Sequence, residues 1–236
     1  MQLFYHPDLE SSTLEFTFPP DESRHITKVL RKKSGDILQI TNGKGDLFQA
    51  EIILSDHKKC IARIISAQTH APSPYRLHLV VAPTKLNDRF EWFLEKATEI
   101  GIHEITPIIC DRSERKAIKM DRMEKVVLSA VKQSLHTYLP QLNEAISFQD
   151  YMDLPKEGDL FIAHCEEDQK KELFHCLRPK RNTVILIGPE GDFSKTEINR
   201  ALSKGFKAVA LGKTRLRTET AALVACTTAA VVNLSE

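Results

Sequence analysis

From Tyr75 onward, short mainly apolar runs alternate with stretches whose apolar residues return every three or four positions. The runs "LHLVVAP" (77–83), "EITPIIC" (104–110), "DLFIAHC" (159–165), "TVILI" (183–187) and "AVALG" (208–212) read as buried strands. Between them, "DRFEWFLEKATEIG" (88–101) sets Phe90, Phe93, Ala97 and Ile100 on one helical face and stops at Gly101. "MDRMEKVVLSAVKQSL" (120–135), "EEDQKKELFHCL" (166–177), "SKTEINRALSKG" (194–205) and "TETAALVACTTAAVVNL" (218–234) read as further helices. Strands alternating with helices predict an α/β domain around a largely parallel sheet.

The first 70 residues follow period two instead. In "DILQITNGKGDLFQAEIIL" (36–54) two alternating runs flank Asn42-Gly43, a hairpin signal, and "CIARIISAQ" (60–68) adds another strand. Short strands with glycine turns predict a small β-barrel. "HAPSPY" (70–75) carries Pro72 and Pro74, which interrupt helix and sheet alike. The expected organisation is a domain over 1–70, a linker over 71–76 and an α/β domain over 77–236. "RHITKVLRKK" (24–33) predicts a helix with Arg24, Lys28, Arg31 and Lys32 along one side, and Ile26, Val29 and Leu30 facing the barrel.

Composition narrows the class. The 236 residues are 42% hydrophobic and 28% charged with a net charge of +1, so any nucleic-acid surface must be a local patch. Five cations without an acid in residues 24–33 make one such patch, and Arg112 and Arg115 in "CDRSERKAIK" are candidates for another. No basic segment precedes an apolar stretch at the N-terminus, and no apolar run reaches the roughly 20 residues of a membrane span. Five irregularly spaced cysteines suit reduced thiols and a cytoplasmic location. His164-Cys165 and His175-Cys176 have no matching cluster, so no metal site is expected.

Two strand-to-helix turns carry the candidate chemistry. "LIGPEGDFSKTE" (186–197) lacks the second glycine of a phosphate loop, and Pro189 and Glu190 oppose a phosphate. Ser194 and Glu197 form a capping box for the following helix. A carboxylate beside exposed amides suits a ligand with hydroxyls, an amine or a positive centre, such as S-adenosylmethionine. In "LGKTRLRTETAALVA" (211–225), Lys213, Arg215 and Arg217 precede a helix opened by Thr218 as N-cap, with Glu219 in its first turn, a natural anion site.

"LIGPEGDFSKTEI" together with "LGKTRLRTETAALVA" resembles the SPOUT methyltransferases and, more narrowly, the 16S ribosomal RNA uridine N3-methyltransferase family. "RHITKVLRKKSGD", "EKATEIGIHEITPI" and "KQSLHTYLP" are similar to further motifs of that family, so the likeness spans nearly the whole chain. It implies a PUA-like barrel before a SPOUT-type α/β domain with a C-terminal trefoil knot. It also implies a homodimer that methylates N3 of a uridine in 16S rRNA of the small ribosomal subunit. By the same resemblance His164, Gly188, Pro189, Glu190, Gly191, Leu211, Gly212, Leu216 and Arg217 line an S-adenosylmethionine site. Arg217 is the candidate for stabilising charge on the base, Glu190 and Glu219 are candidates for accepting its proton, and Arg112 or Arg115 of a second copy would complete each site. The competing expectations are a SPOUT enzyme for another RNA or atom, and a non-catalytic ribosome-assembly factor.

Overall fold

The computed structural model describes residues 2–166 and 169–234. Two compact units emerge, Met1–Pro72 with Val131–Leu139, and Ser73–Ala130 with Pro140–Glu236.

The first unit is built on a five-stranded sheet of β1 (Leu3–Tyr5), β2 (Glu15–Thr17), β3 (Ile37–Thr41), β4 (Asp46–Leu54) and β5 (Ile61–Thr69), ordered β1-β3-β4-β5-β2. β3 and β4 pair antiparallel with Ile40 opposite Phe48, so the alternating residues Leu38, Ile40, Phe48, Ala50 and Ile52 share one buried side with Phe4, Phe18 and Ile26. The Asn42 side-chain oxygen accepts the Lys44 and Asp46 amides at 2.9 and 3.2 Å, and Gly43 takes a left-handed φ of 74°.

The same turn has a second use. Thr41 Oγ1 and the Gly45 amide both donate to the Thr137 carbonyl, at 2.9 and 3.0 Å, and the Leu139 amide donates to the Gly43 carbonyl at 2.9 Å. Residues 131–139, expected within the α/β domain, therefore pack as part of the first unit.

"RHITKVLRKK" is not one helix. α1 (Pro20–Arg24) passes into a π-helical turn over His25–Val29, and Arg31 adopts a left-handed φ of 56°. The wider turn puts Ile26 in the core but leaves Val29 69% exposed, against the expected inward face, while Leu30 packs against the core edge. Arg24, Lys28 and Arg31 remain exposed and Lys32 is half-buried, without sharing a regular helical side.

The second unit carries a parallel sheet ordered β11-β13-β10-β12-β6-β7-β8. Its strands are β6 (Leu77–Val81), β7 (Glu104–Ile109), β8 (Gln141–Leu142), β10 (Asp159–Ala163), β11 (Lys171–Glu172), β12 (Thr183–Ile187) and β13 (Lys207–Ala210), and β9 (Ile146–Ser147) pairs with β7 off that path. Val80, Val184, Leu186 and Ile162 form a core with Phe148 and Met152 of α4 (Phe148–Asp153) and Ile198 and Ala201 of α6 (Lys195–Ser203). α7 (Thr218–Leu234) packs on α2 (Asn87–Ile100) and on β6 and β12. α2 ends as expected, with Gly101 left-handed at φ 101°. α3 (Met120–Ser134) buries Met123, Val127 and Ala130 at the expected positions.

The helix expected over 166–177 is corrected. Within it lie β11 and the single turn α5 (Leu173–Cys176), while Glu167 and Asp168 fall outside the described residues. Lys171 and Glu172 pair with Val209 and Ala210, so a sheet edge takes residues that the local pattern assigns to a helix.

Candidate active site at the carboxyl ends of the parallel strands

In parallel sheets the loops beyond the carboxyl ends of the strands form ligand crevices. Here the loops after β10, β12 and β13 enclose two adjoining cavities, of about 290 and 660 Å³. Ala163, Cys165, Asp192, Arg215, Leu216 and Ala221 line both. Gly188, Pro189, Glu190 and Arg217 line the smaller, and His164, Gly191, Leu211 and Gly212 the larger.

The turn after β12 is tight, with the Asp192 amide donating to the Pro189 carbonyl at 2.9 Å. Its glycines answer to close neighbours. A Cβ on Gly188 would lie 3.0 Å from the Phe193 ring, which is fully buried beneath the turn, and one on Gly191 would lie 3.2 Å from Arg112 Cβ. Phe193 thus anchors the turn in the core, and the missing side chain at Gly188 makes room for its ring.

The three acids of this segment each receive a backbone amide from a different neighbouring loop. Glu190 accepts from Lys85 after β6 at 2.9 Å, Asp192 from Cys165 after β10 at 2.8 Å, and Glu197 from Asp111 after β7 at 2.9 Å. Glu197 also accepts the Ser194 amide at 2.8 Å, completing the expected capping box while fully buried. Carboxylates suit these places because bonds from amides to a charged acceptor are among the stronger ones.

Arg112, expected at the RNA, donates to the Gly191 carbonyl at 2.9 Å and lines the larger cavity. Arg115 donates to the Ala117 carbonyl at 3.0 Å within its own loop. Thr218 is not the N-cap. Its hydroxyl donates to the Gly188 carbonyl at 3.1 Å, and the Ala221 amide donates to the Arg217 carbonyl at 2.8 Å, which makes Arg217 the residue entering α7. Glu219 lines neither cavity. It is buried in the first turn of α7, 3.7 Å from Arg89 Nε.

Comparison with known proteins agrees with this architecture. Residues 71–230 match the RNA methyltransferase domain family, and residues 18–65 match the RNA methyltransferase PUA domain family. The ribosomal RNA small subunit methyltransferase E of Buchnera aphidicola (strain APS) is 32% identical, over 96% of this chain and 91% of its own. The chain belongs to the ribosomal RNA small subunit methyltransferase E family. Among solved structures, a probable rRNA-methyltransferase from Porphyromonas gingivalis is 40% identical with a TM-score of 0.91, covering 99% of each chain. A small-subunit methyltransferase E from Neisseria gonorrhoeae, crystallised with S-adenosylmethionine, is 28% identical with a TM-score of 0.88, covering 99% of this chain and 98% of its own.

In this family member the fold brings together His164, Gly188 to Gly191, Leu211, Gly212, Leu216 and Arg217 around the two cavities. Sequence reasoning passed over Asp192, which lines both. No sequence pattern marked it, since its left-handed φ of 63° and its bond to the Cys165 amide exist only in the fold. Lys170 was also passed over. Its ammonium donates to the His164 and Glu166 carbonyls at 2.6 and 2.5 Å.

A further cavity of about 670 Å³ lies at the opposite, amino ends of the strands. There His78 Nε2 lies 2.8 Å from Thr106 Oγ1 and Nδ1 3.4 Å from Glu104, and burial pushes the imidazole down to about 4. These polar groups satisfy one another. Among the described residues no group of three or more His, Cys, Asp or Glu could hold a metal ion, and no helix is long and apolar enough to cross a membrane.

Proposed function

We propose that this protein methylates N3 of a uridine in 16S rRNA of the small ribosomal subunit, using S-adenosylmethionine, in the cytoplasm. The observation that carries the reading is the pair of adjoining cavities at the carboxyl strand ends, walled by both motif loops. The residues present fit a cofactor of this size and polarity. Gly188 and Gly191 leave backbone where a Cβ would crowd Phe193 or Arg112. His164, Gly188, Pro189, Gly191, Leu211, Gly212 and Leu216 would hold it, largely through backbone groups and apolar contact. The loops after β12 and β13 are proposed to be threaded as a trefoil knot, and α7 to form the contact of a homodimer.

When bound, S-adenosylmethionine supplies a methyl group on a sulfonium, an electrophile that needs no metal. The chain's own part is to exclude water, to hold the base edge and to favour loss of its N3 proton. Arg217 is exposed at the smaller cavity, where a cation would stabilise negative charge developing on the uracil oxygens. Glu190 remains a candidate proton acceptor. One of its oxygens is engaged by the Lys85 amide, so positioning the turn is its first role. The N3 edge takes part in pairing, so the uridine must be unpaired or extruded.

RNA affinity is assigned to Arg24, Lys28, Arg31 and Lys32 of the PUA-family domain, with Arg112 and Arg115 contributing from the methyltransferase domain. Replacing Arg24, Lys28 and Arg31 together with alanine should weaken RNA binding and lower the slope of log affinity against log salt by about 2 to 3. Cofactor affinity should not change. Calorimetry with RNA and cofactor separately checks the division, and a collapse of cofactor affinity alone would refute it.

Cys165 gives a probe of the cavities, since it is exposed and lines both. Burial pushes the Cys226 thiol up to about 12 and raises Cys110 as well, so both stay protonated and shielded at pH 8. Alkylation at pH 8 should therefore label Cys165 ahead of Cys110 and Cys226, and saturating S-adenosylmethionine should slow it. Equal labelling with and without cofactor would place the cofactor elsewhere.

The deciding test treats unmodified small subunits with protein and methyl-labelled cofactor, then digests the 16S RNA to nucleosides. The expected product is 3-methyluridine at one position. Label in another nucleoside, or in another RNA only, would replace the substrate assignment. No label would leave an RNA-binding assembly factor.

A further inference from the structure

We infer that Asp192 is a positioning residue that sets the separation between two walls of the cofactor cavity, and so controls cofactor affinity. This rests on the methyl-transfer reading above.

Asp192 stands at φ 63°, a left-handed conformation that glycine adopts without strain and other residues only at a cost. The strained position is compensated by what its carboxylate joins. One oxygen accepts the Phe193 amide at 2.8 Å and fixes the end of the turn after β12. The other accepts the Cys165 amide at 2.8 Å, at the start of the loop after β10. Lys170 donates to the His164 and Glu166 carbonyls on either side of Cys165, so the Cys165 bond acts on a segment already strapped at both neighbours. Cys165 and Asp192 line both cavities, so the bond between them lies where the two spaces meet.

Glu190 and Glu197 bind amides in the same manner, but their partners, Lys85 and Asp111, line neither cavity. Among the three acids, Asp192 alone lines both cavities and accepts from a residue, Cys165, that also lines both. The carboxylate supplies no proton and touches no reacting atom in this assignment. It acts through the Cys165 and Phe193 amides.

The test compares the wild-type chain with Asp192→Gly and Asp192→Asn. Glycine relieves the backbone and loses both bonds. Asparagine tolerates the left-handed backbone but has one acceptor oxygen where the carboxylate has two. Calorimetry with S-adenosylmethionine should show the dissociation constant rising about tenfold in the Asn variant, the size expected for one charge-assisted bond, and at least as much in the Gly variant. The thermal midpoint of the Gly variant without cofactor should stay or rise. At saturating cofactor, kcat should remain within about twofold of wild type, so that the loss falls on KM. A purely structural role would give the opposite pattern, a lower midpoint and a lower kcat with KM unchanged, and would overturn the inference. If the Gly variant does not fold, the Asn variant decides by the same criteria. A wild-type chain that takes up no cofactor overturns the methyl-transfer reading and this inference with it. A wild type that binds while both variants bind as tightly overturns this inference alone.

Discussion

Replacing Arg217 with alanine is expected to lower methyl transfer about a hundredfold at saturating cofactor and RNA, in line with the loss of one charge-stabilising group. The residue enters α7 through its carbonyl, while its side chain is exposed at the smaller cavity beside Gly188 and Pro189. Among the described residues its guanidinium has no carboxylate partner, so its charge is free to act on a ligand. Because the side chain is exposed, its loss should change folding stability by no more than about 0.5 kcal/mol. The pH dependence gives a second readout. A cation beside the base lowers the pKa of N3 in the complex, so removing it should move the rising limb of the rate profile to higher pH. Single-turnover transfer as a function of pH measures both effects. A variant whose rate returns fully on adding more cofactor would make Arg217 a cofactor ligand only.

The elements legible in the sequence are those whose pattern is local. β6, β7, β10, β12 and β13 are mainly apolar runs because central strands of a parallel sheet are covered on both faces, and β12, at the middle of the order, is buried throughout. The capping box at Ser194 and Glu197, and Gly101 at the end of α2, are stereochemical signals contained within a few residues. What was not legible depends on distant partners. The Thr137 carbonyl lies 96 residues from the Thr41 hydroxyl that binds it, so no periodicity assigns residues 131–139 to the first unit. β11 exists because Val209 and Ala210 lie alongside it.

The candidate site divides in the same way. The glycines and the basic loop were readable as residue types, since few other residues meet their steric and charge demands. The role of the acids was not. Glu190 suggests a ligand contact when read alone, yet it accepts an amide 105 residues away in sequence. Thr218 looks like an N-cap by composition, but the Gly188 carbonyl, 30 residues earlier, takes its hydroxyl. In both cases a polar side chain near a helix start is claimed by a loop that only the folded sheet brings alongside. The segment "GPEGDFSKTE" is acidic because its acids bind together the loops around it.

By sequence α7 is apolar on nearly every side. One face is accounted for within the chain, since Ala222, Ala225, Cys226, Ala229 and Val232 are buried. The opposite face is not covered to the same degree. Leu223, Val224 and Ala230 are half-buried, Val231 is 47% exposed and Leu234 79%. Water is a poor neighbour for such a stripe, and a second copy related by a twofold axis would cover it with the same residues. Ala225 and Ala229 are 0% and 2% exposed, so an arginine there would disrupt the chain's own packing and would not report on association. The charge belongs at Val231. Val231→Arg should leave the thermal midpoint of the isolated chain within a few degrees, because the position is exposed in one chain. It should weaken self-association by about a hundredfold or more, as burying an unpaired charge at the centre of an apolar contact costs several kcal/mol. Sedimentation should find the wild type at twice 26.8 kDa and the variant at or near one chain. Methyl transfer should fall with the dimer, since α7 begins immediately after Arg217 and a loosened helix would shift that side chain. A wild type that sediments as one chain with full transfer would refute the proposal, and so would a fully active monomeric Val231→Arg variant.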